Sequence, residues 1–157
     1  MTELALLHMD IIHYVIKMEY KIISVGDVEL PNKPLSNFEL LEAVKRLKIS
    51  NFREVYLRDT LPKRALKNEC GILNLDDSTG NGTHWVAWFK KGRIKYYFDS
   101  FGIQPPLELQ DYLKSFILYN TEQIQSGDQV FCGHLCLHVL KQLSAGIDFQ
   151  LIINDLH

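Results

Sequence analysis

The chain has 157 residues, of which 46% are hydrophobic and 23% are charged, and its formal net charge is −2. This length and composition predict a single globular domain, residues 1–157, with a core of its own. The charge balance gives no reason to expect nucleic acid or an anionic membrane as an obligatory partner. The odd number of cysteines argues against a disulfide framework, and no run of about 18 apolar residues predicts a membrane span. We therefore expect a soluble protein of a reducing compartment, the cytoplasm or the nucleus.

The first third of the chain predicts two helices. Residues 1–20 carry apolar side chains at the spacing of an amphipathic helix, which either packs on the domain or forms a detachable N-terminal arm. Residues 21–26 and the turn Pro31-Asn-Lys-Pro34 form a short extended connection. Ser36-Asn-Phe-Glu39 then matches a capping box, so a second helix should begin at Asn37. Residues 52–56 follow as a short apolar piece.

The middle of the chain predicts three strands. Residues 68–75 form an apolar run typical of a buried strand. The polar loop that follows, residues 76–82, contains two glycines and should be mobile enough to help frame a substrate. Residues 83–89 alternate in hydrophobicity, and residues 94–98 come after a tight polar turn, which together predict a β-hairpin.

The last third predicts two helices separated by a polar loop. Pro105-Pro106 precede the first of these helices, and residues 120–129 form the loop. Apolar residues then recur at helical spacing from about Cys132 to Ser144. Residues 149–153 are a short apolar tail, predicted as a final strand or as a segment laid on the core.

Several conspicuous residues are assigned ordinary structural roles. The basic cluster Lys63-Arg64 with Lys67, and a second one over residues 90–95, are expected to be solvated turns. Cys70 and Cys136 lie in apolar stretches and are expected to be thiols of the core.

The run Cys132-x-His134-x-Cys136-x-His138 suggests a metal site at first sight. On a helix, however, residues two apart lie about 200° apart, so these four side chains cannot surround one zinc ion. No metal site is predicted. His134 and His138 are instead expected on the outer or a second face of the helix.

Cys132 stands where a cysteine nucleophile would be expected. A thiol in the first turn of a helix meets the positive end of the helix dipole and unpaired backbone N–H groups, which stabilise the thiolate and lower its pKa. The adjacent Gly133 would let the backbone approach a substrate carbonyl.

The predicted hairpin supplies a base and an acid. His84 starts the first strand and Asp99 ends the second, so antiparallel pairing brings both to the same end of the sheet. Cys132 would then attack, His84 would hold the proton, and Asp99 would orient the imidazole. Asp76 and Asp77 are rival acidic partners, in a less fixed loop.

The order of these residues resembles the order in the adenovirus endopeptidase (adenain) and in its relatives from Polinton-type viruses and transposons. More distantly, it resembles the order in the proteases of SUMO and other ubiquitin-like proteins. The resemblance covers about residues 68–145 and rests on the motifs His84-Trp85, Phe98-Asp-Ser-Phe-Gly102, Gln125 and Cys132-Gly133. Gln125 stands seven residues before Cys132, as in the adenovirus branch, whereas the SUMO-protease branch has a spacing of six. Gln123 and Gln129 are rivals for the same role, and the spacing favours Gln125.

The resemblance implies a fold, a site and an activity. The fold would be α+β, of papain-like or adenain-like type, with a central, mainly antiparallel sheet and the nucleophile at the N-terminus of a packed helix. Gln125 would donate to the oxyanion together with backbone N–H at the cysteine. Trp85 would lie against the catalytic centre, shield the imidazole and contribute with Gly133 to substrate binding. The activity would be that of a cysteine endopeptidase acting through a thioester.

The resemblance also implies partners. The substrate would be a protein with small residues near the cleaved bond, such as a structural protein of a virus or mobile element, and the location could extend to the virion. An activating peptide or DNA is possible by the same resemblance, and no other cofactor is predicted. Two further functions stay open: a deconjugating protease for a ubiquitin-like modifier, and a catalytically silent peptide-binding scaffold.

Overall fold

The computed structural model describes residues 22–114, 116–127 and 129–157, so the helix expected over residues 1–20 lies outside the described residues. The strands are β1 (Ile22–Val25), β2 (Val28–Pro31), β3 (Phe52–Leu57), β4 (Asn68–Asn74), β5 (Trp85–Lys91), β6 (Ile94–Phe98) and β7 (Leu118–Tyr119). The helices are α1 (Asn37–Leu47), α2 (Leu107–Leu113), α3 (Cys132–Ser144) and α4 (Phe149–Asp155).

Five strands form the central sheet, in the order β3-β4-β5-β6-β7. The two inner pairings are antiparallel, whereas the edge strands β3 and β7 pair in parallel with their neighbours. The predicted α+β fold is therefore confirmed, with a sheet that is antiparallel at its centre and mixed as a whole. The cysteine helix α3 packs on this sheet, as predicted.

The predicted hairpin is formed by β5 and β6. Ala87 pairs with Phe98 and Lys91 pairs with Ile94, which leaves a turn of Gly92 and Arg93. Gly92 has a φ of +61°, a left-handed conformation that glycine adopts without steric cost. This register fixes which residues lie at the open end of the hairpin.

The sheet is buried on both faces, and successive strand residues alternate between them. One face packs against α1, α3 and α4 through Cys70, Ile72, Ala87 and Phe98. The opposite face packs against α2 through Leu73, Val86, Trp88 and Tyr97. Two apolar cores therefore hold the central strands in place.

Helix α1 begins as the sequence predicts. The Ser36 Oγ accepts a hydrogen bond from the Glu39 N–H at 3.2 Å, and the Glu39 carboxylate accepts one from the Ser36 N–H at 3.1 Å. This reciprocal capping box satisfies two backbone donors at the start of the helix.

Two other segments differ from the expectation. Residues 22–31 form a hairpin rather than a plain extended connection, because Gly26, with a φ of +56°, turns the chain between Val25 and Val28. The apolar tail over residues 149–153 is not a strand, but it is laid on the core, as the second alternative predicts. It is the helix α4, whose first turn is capped by the carboxylate of Asp148.

The expectation that His134 and His138 lie on an outer face is wrong. Their exposed fractions are 0% and 6%. Helix α3 contacts β5 on its sheet side and α1, β1 and α4 elsewhere, so the turns that carry these histidines are covered all round. The Nε2 of His134 lies 2.8 Å from the carbonyl oxygen of Pro31 in β2.

Candidate active site

His84 and Asp99 meet at the open end of the β5–β6 hairpin. His84 immediately precedes β5 and Asp99 immediately follows β6, as the register requires. The His84 Nε2 lies 2.7 Å from the Asp99 Oδ1. Asp99 is fully buried and His84 is 8% exposed, so little water competes with this hydrogen bond.

Contacts from two chain segments hold Asp99. Its Oδ1 also accepts a hydrogen bond from the Phe101 N–H at 2.8 Å. The Asn120 side chain accepts from the Asp99 N–H at 3.1 Å and donates to the Asp99 carbonyl at 2.6 Å. Asn120 is a positioning residue that sequence reasoning missed, because its only signal was a polar residue after a short apolar segment.

Cys132 completes the cluster from the first turn of α3. Its half-buried thiol lies near His84 and near the backbone N–H groups of Trp85 and Gly133, all of which act to lower its pKa. Since Asp99 engages the Nε2 of His84, the other ring nitrogen, Nδ1, is the one left for the thiol. The structure therefore brings the three predicted residues together in one cluster.

The pKa values of the two partners move in the directions of an ion pair. Burial alone would lower the pKa of His84, but the hydrogen bonds and charges of Asp99 and Cys132 outweigh burial and raise it to about 9. Burial alone would raise the pKa of Cys132, but His84 and the two backbone N–H groups hold it below its ordinary value. These two shifts favour a thiolate beside an imidazolium over the neutral thiol–imidazole pair.

An aromatic ring covers the imidazole. Phe101 stacks on His84 with ring centroids 4.5 Å apart and ring planes 24° apart. The resemblance assigned this shielding to Trp85. Sequence reasoning quoted Phe101 as part of a motif without giving it this role.

Trp85 lies in the same cleft as Cys132 and His84. Its indole N–H donates to the Leu35 carbonyl at 2.9 Å, which fixes the ring against the loop before α1. Because His84 precedes the strand, regular strand alternation does not force the side chains of His84 and Trp85 apart.

The cleft has a volume of about 440 Å³. Its walls are the loop before α1, the end of β3 and the loop between β4 and β5, and its lining residues are Pro34–Asn37, Val55–Leu57, Asn74, Gly80–Trp85 and Cys132. A cleft of this size accommodates a few residues of a peptide rather than a folded partner.

Three side chains hold the loop that forms one wall. The Asn74 Oδ1 accepts from the N–H groups of Asp76 at 2.9 Å and Thr83 at 3.1 Å. The Asp76 carboxylate accepts from the Gly82 N–H at 3.1 Å, and the Asp77 carboxylate accepts from the Thr79 N–H. Both aspartates are thus occupied within the loop, and Asp99, not either rival, is the partner of His84.

Gln125 lies beside Ser100, the neighbour of Asp99. Its Oε1 accepts from the Ser100 Oγ at 2.8 Å, its backbone N–H donates to the Ser100 carbonyl at 3.0 Å, and its Nε2 donates to the Gln129 carbonyl. These bonds fix the orientation of the amide. Gln125 thus lies beside the acidic member of the cluster, and it is not among the described residues that line the cleft.

Gly133 has a packing reason for being glycine. A Cβ at this position would lie 3.3 Å from the Leu40 Cδ2 and from the Trp85 Cδ1. The absent side chain lets α3 approach α1 and Trp85 closely. This explanation stands beside the predicted approach to a substrate.

Neither a metal site nor a membrane-spanning helix is found among the described residues. Within residues 22–114, 116–127 and 129–157, no three His, Cys, Asp or Glu side chains group as metal ligands. In the same ranges, no helix has the length and apolar character needed to cross a bilayer. The thiols of Cys70 and Cys136 are free and buried.

Comparison with known proteins identifies the fold. No family model matches the sequence, and no curated protein matches it. The structure is similar to the crystal structure of the ASFV pS273R protease, with a TM-score of 0.55 and 18% sequence identity over 80% of this chain and 65% of that chain. The selenomethionine form of the same protease gives a TM-score of 0.52 over the same shares of the two chains. This chain therefore spans just under two thirds of that protease, and the two proteins share an α+β fold.

Proposed function

We propose that this protein is a cysteine endopeptidase that hydrolyses peptide bonds through a thioester. The observation that carries the proposal is the cluster of Cys132, His84 and Asp99, in which His84 is hydrogen-bonded to Asp99, the pKa of the imidazole is raised and that of the thiol is lowered. The fold shared with a viral protease supports the same conclusion.

Each of these three residues has a chemical role. The Cys132 thiolate attacks the substrate carbonyl, and the His84 imidazolium then protonates the leaving amine to leave a thioester. His84, now neutral, takes a proton from water as the water attacks the thioester; the C–S bond then breaks, the carboxylic acid product leaves, and the Cys132 thiolate beside the His84 imidazolium is restored. Asp99 keeps the ring oriented and stabilises its positive charge.

The oxyanion of the tetrahedral intermediate needs hydrogen-bond donors. We assign this role to backbone N–H at Cys132 and to the side chain of Gln125. The Gln125 Nε2 carries two hydrogens, of which the Gln129 carbonyl uses one. Ser100 holds the amide oxygen, so the nitrogen keeps its orientation.

We further propose the adenain-like, Polinton-type branch and a role in processing structural proteins of a virus or mobile element, in the cell or the virion. The support is the order of the four motifs and the spacing between Gln125 and Cys132. Gly80 and Gly82 line the cleft, and Trp85 lies in it. We assign Trp85 as a substrate contact, and we propose substrates with small residues beside the cleaved bond.

Alkylation tests the activated thiol directly. The purified protein is treated with iodoacetamide over a range of pH, and the three cysteines are separated by peptide mapping. Cys132 should react well below pH 8, whereas Cys70, whose pKa burial raises to about 12, should not, and serves as a control within the same molecule. His84→Ala should remove the advantage of Cys132. Reaction of Cys132 no faster than a free thiol would contradict the proposal.

Cleavage assays then define the activity. The protein and its Cys132→Ala variant are incubated with peptide libraries containing small residues, with and without added DNA or basic peptide, because the resemblance extends to such activators. Cleavage by the unchanged protein alone supports the endopeptidase. Cleavage restricted to ubiquitin-like conjugates would replace it with a deconjugating protease, and binding without cleavage would favour the scaffold.

A further inference from the structure

The two basic clusters of the sequence meet in one cavity. Lys63 and Arg64 come from the loop before β4, while Lys90, Arg93 and Lys95 come from the turn end of the β5–β6 hairpin. A sixth cation, from the residue that follows α2, completes the ring: Lys114. The cavity has a volume of about 660 Å³. The two clusters, which the sequence predicts as solvated turns, thus contribute to one concavity.

The cavity concentrates positive charge in a chain whose net charge is −2. None of the described lining residues carries a carboxylate. Lys63, Arg64, Arg93 and Lys114 are exposed, and none of them forms an ion pair within the part of the chain that the structure describes. Burial and the neighbouring Lys90 lower the pKa of Lys95, as expected for cations crowded in a concavity.

Hydrogen bonds fix the first two segments to each other. The Gly92 N–H at the hairpin turn donates to the Lys67 carbonyl at 2.9 Å. The Lys90 Nζ donates to the carbonyls of Leu66 at 2.7 Å and Lys67 at 3.2 Å. The loop before β4 and the hairpin turn are thus joined at several points.

A buried polar cluster fixes the third segment. Arg53 donates from its Nη1 to the Arg64 carbonyl at 2.8 Å, to the Glu69 carboxylate at 3.0 Å and to the Tyr112 hydroxyl at 2.5 Å. Glu69 is 1% exposed and also accepts from the indole N–H of Trp88 at 3.2 Å. Tyr112 lies on α2 and lines the cavity, so one side chain ties this helix to the loop that carries Arg64. The three segments that carry the cations are therefore held together before any ligand arrives.

We propose that this cavity binds a compact polyphosphate, a molecule that carries several phosphate groups on a small scaffold. Arg and Lys are the side chains that recognise phosphate, through charge-assisted hydrogen bonds. The volume is that of a small-molecule site, in the range of about 300–1,000 Å³. An extended nucleic acid would instead need cations along a groove that follows its backbone. Here the cations surround a single concavity.

The site is separate from the proposed active site. The cavity and the cleft share no lining residue. They lie at opposite ends of the same hairpin, the cavity at its turn and His84 and Asp99 at its open end. Polyphosphate binding can therefore be measured without any protease assay and does not depend on the proposed function.

Calorimetric titration with inorganic tripolyphosphate, at an ionic strength of about 0.15 M, tests the proposal. Tripolyphosphate should bind at least about tenfold more tightly than orthophosphate or citrate. Arg64→Gln combined with Lys114→Gln should weaken the binding by about tenfold or more. Both side chains are exposed, so this variant should fold. The matched control removes two exposed cations from α1: Lys45→Gln with Arg46→Gln should bind as the unchanged protein does.

Competition identifies the source of the phosphate groups. Displacement of tripolyphosphate by inositol hexakisphosphate supports a free polyphosphate. Binding to phosphoinositide-containing vesicles that is lost in the Arg64/Lys114 variant supports a lipid headgroup with the same chemistry. Two results overturn the proposal: equal binding by the Arg64/Lys114 variant and its control, or displacement by single-stranded oligonucleotides with an affinity that rises with their length.

Discussion

Cys132 and Cys136 lie one turn apart on α3, yet the pKa of the first thiol is lowered and that of the second is raised. Both lose water, since Cys132 is half-buried and Cys136 is 0% exposed. The difference lies in their partners. Cys132 faces His84 and two backbone N–H groups, whereas burial and the nearby negative groups Cys132 and Asp99 raise the pKa of Cys136.

The same contrast separates two buried histidines. Asp99 and Cys132 outweigh burial at His84 and raise its pKa to about 9, whereas burial lowers the pKa of His138 to about 4. Burial therefore does not activate a group by itself. It removes water, and the hydrogen-bond partners then decide which protonation state is stable.

Removing each of the two thiols in turn should give the largest difference in activity between two variants. Cys132→Ala should abolish peptide hydrolysis, a loss of at least about 10⁴-fold in kcat, because the nucleophile is gone. Cys136→Ala leaves a small cavity and should lower stability by about 1 kcal/mol while keeping kcat within a few-fold. Both variants are assayed for kcat and for urea unfolding. A folded Cys136→Ala protein as inactive as Cys132→Ala would erase the distinction between the two thiols.

Asp99→Asn tests whether the negative charge of Asp99, rather than the shape of its side chain, raises the pKa of His84. The amide keeps the size of the side chain and an oxygen for the Phe101 N–H, but it no longer stabilises an imidazolium. We expect kcat to fall by about 10²–10⁴-fold and the pKa of His84 to drop from its raised value. The second effect is read from the pH dependence of Cys132 alkylation. If that profile does not move, Asp99 acts only through packing.

His138 should make the protein sensitive to acid. Its pKa falls from 6.5 to about 4 on folding, so between these values the unfolded chain binds a proton that the folded protein excludes. Stability from this residue is present above pH 6.5 and is lost as the pH falls toward 4, by about 3 kcal/mol. Urea unfolding at several pH values measures the loss. The His138→Leu variant, compared with its own stability at pH 8, should lose less free energy of unfolding as the pH falls. If the free energy of unfolding of this variant falls with pH as steeply as that of the unchanged protein, His138 is not the origin of the loss.

Local chemistry made part of this structure predictable from sequence. The capping box at Ser36, the bounds of α3 and the β5–β6 hairpin all follow from patterns within a few residues. The pairing of His84 with Asp99 follows from the hairpin itself, because antiparallel strands bring their outer ends together.

Contacts between distant segments were not predictable in this way. His134 and His138 lie inside because β1, α1 and α4 cover α3, and no pattern within the helix records that cover. The parallel strand β3 pairs with a strand beyond a ten-residue loop, and the cations of the basic cavity come from three segments. Asp148, by contrast, was a readable helix cap before an apolar run.

The pH dependence of hydrolysis gives a smaller effect, about tenfold per pH unit, and separates the two partners in one experiment. As pH rises through the lowered pKa of Cys132, the thiolate forms and kcat/KM should increase. As pH rises further through about 9, His84 loses its proton and can no longer protonate the leaving amine, so kcat/KM should fall again.

Alkylation of Cys132 needs only the thiolate and should not fall on that alkaline side. The two profiles should therefore coincide on the acid side and diverge above about pH 9. If alkylation fell together with hydrolysis, the alkaline loss would come from unfolding rather than from His84, and far-UV circular dichroism at the same pH would show it.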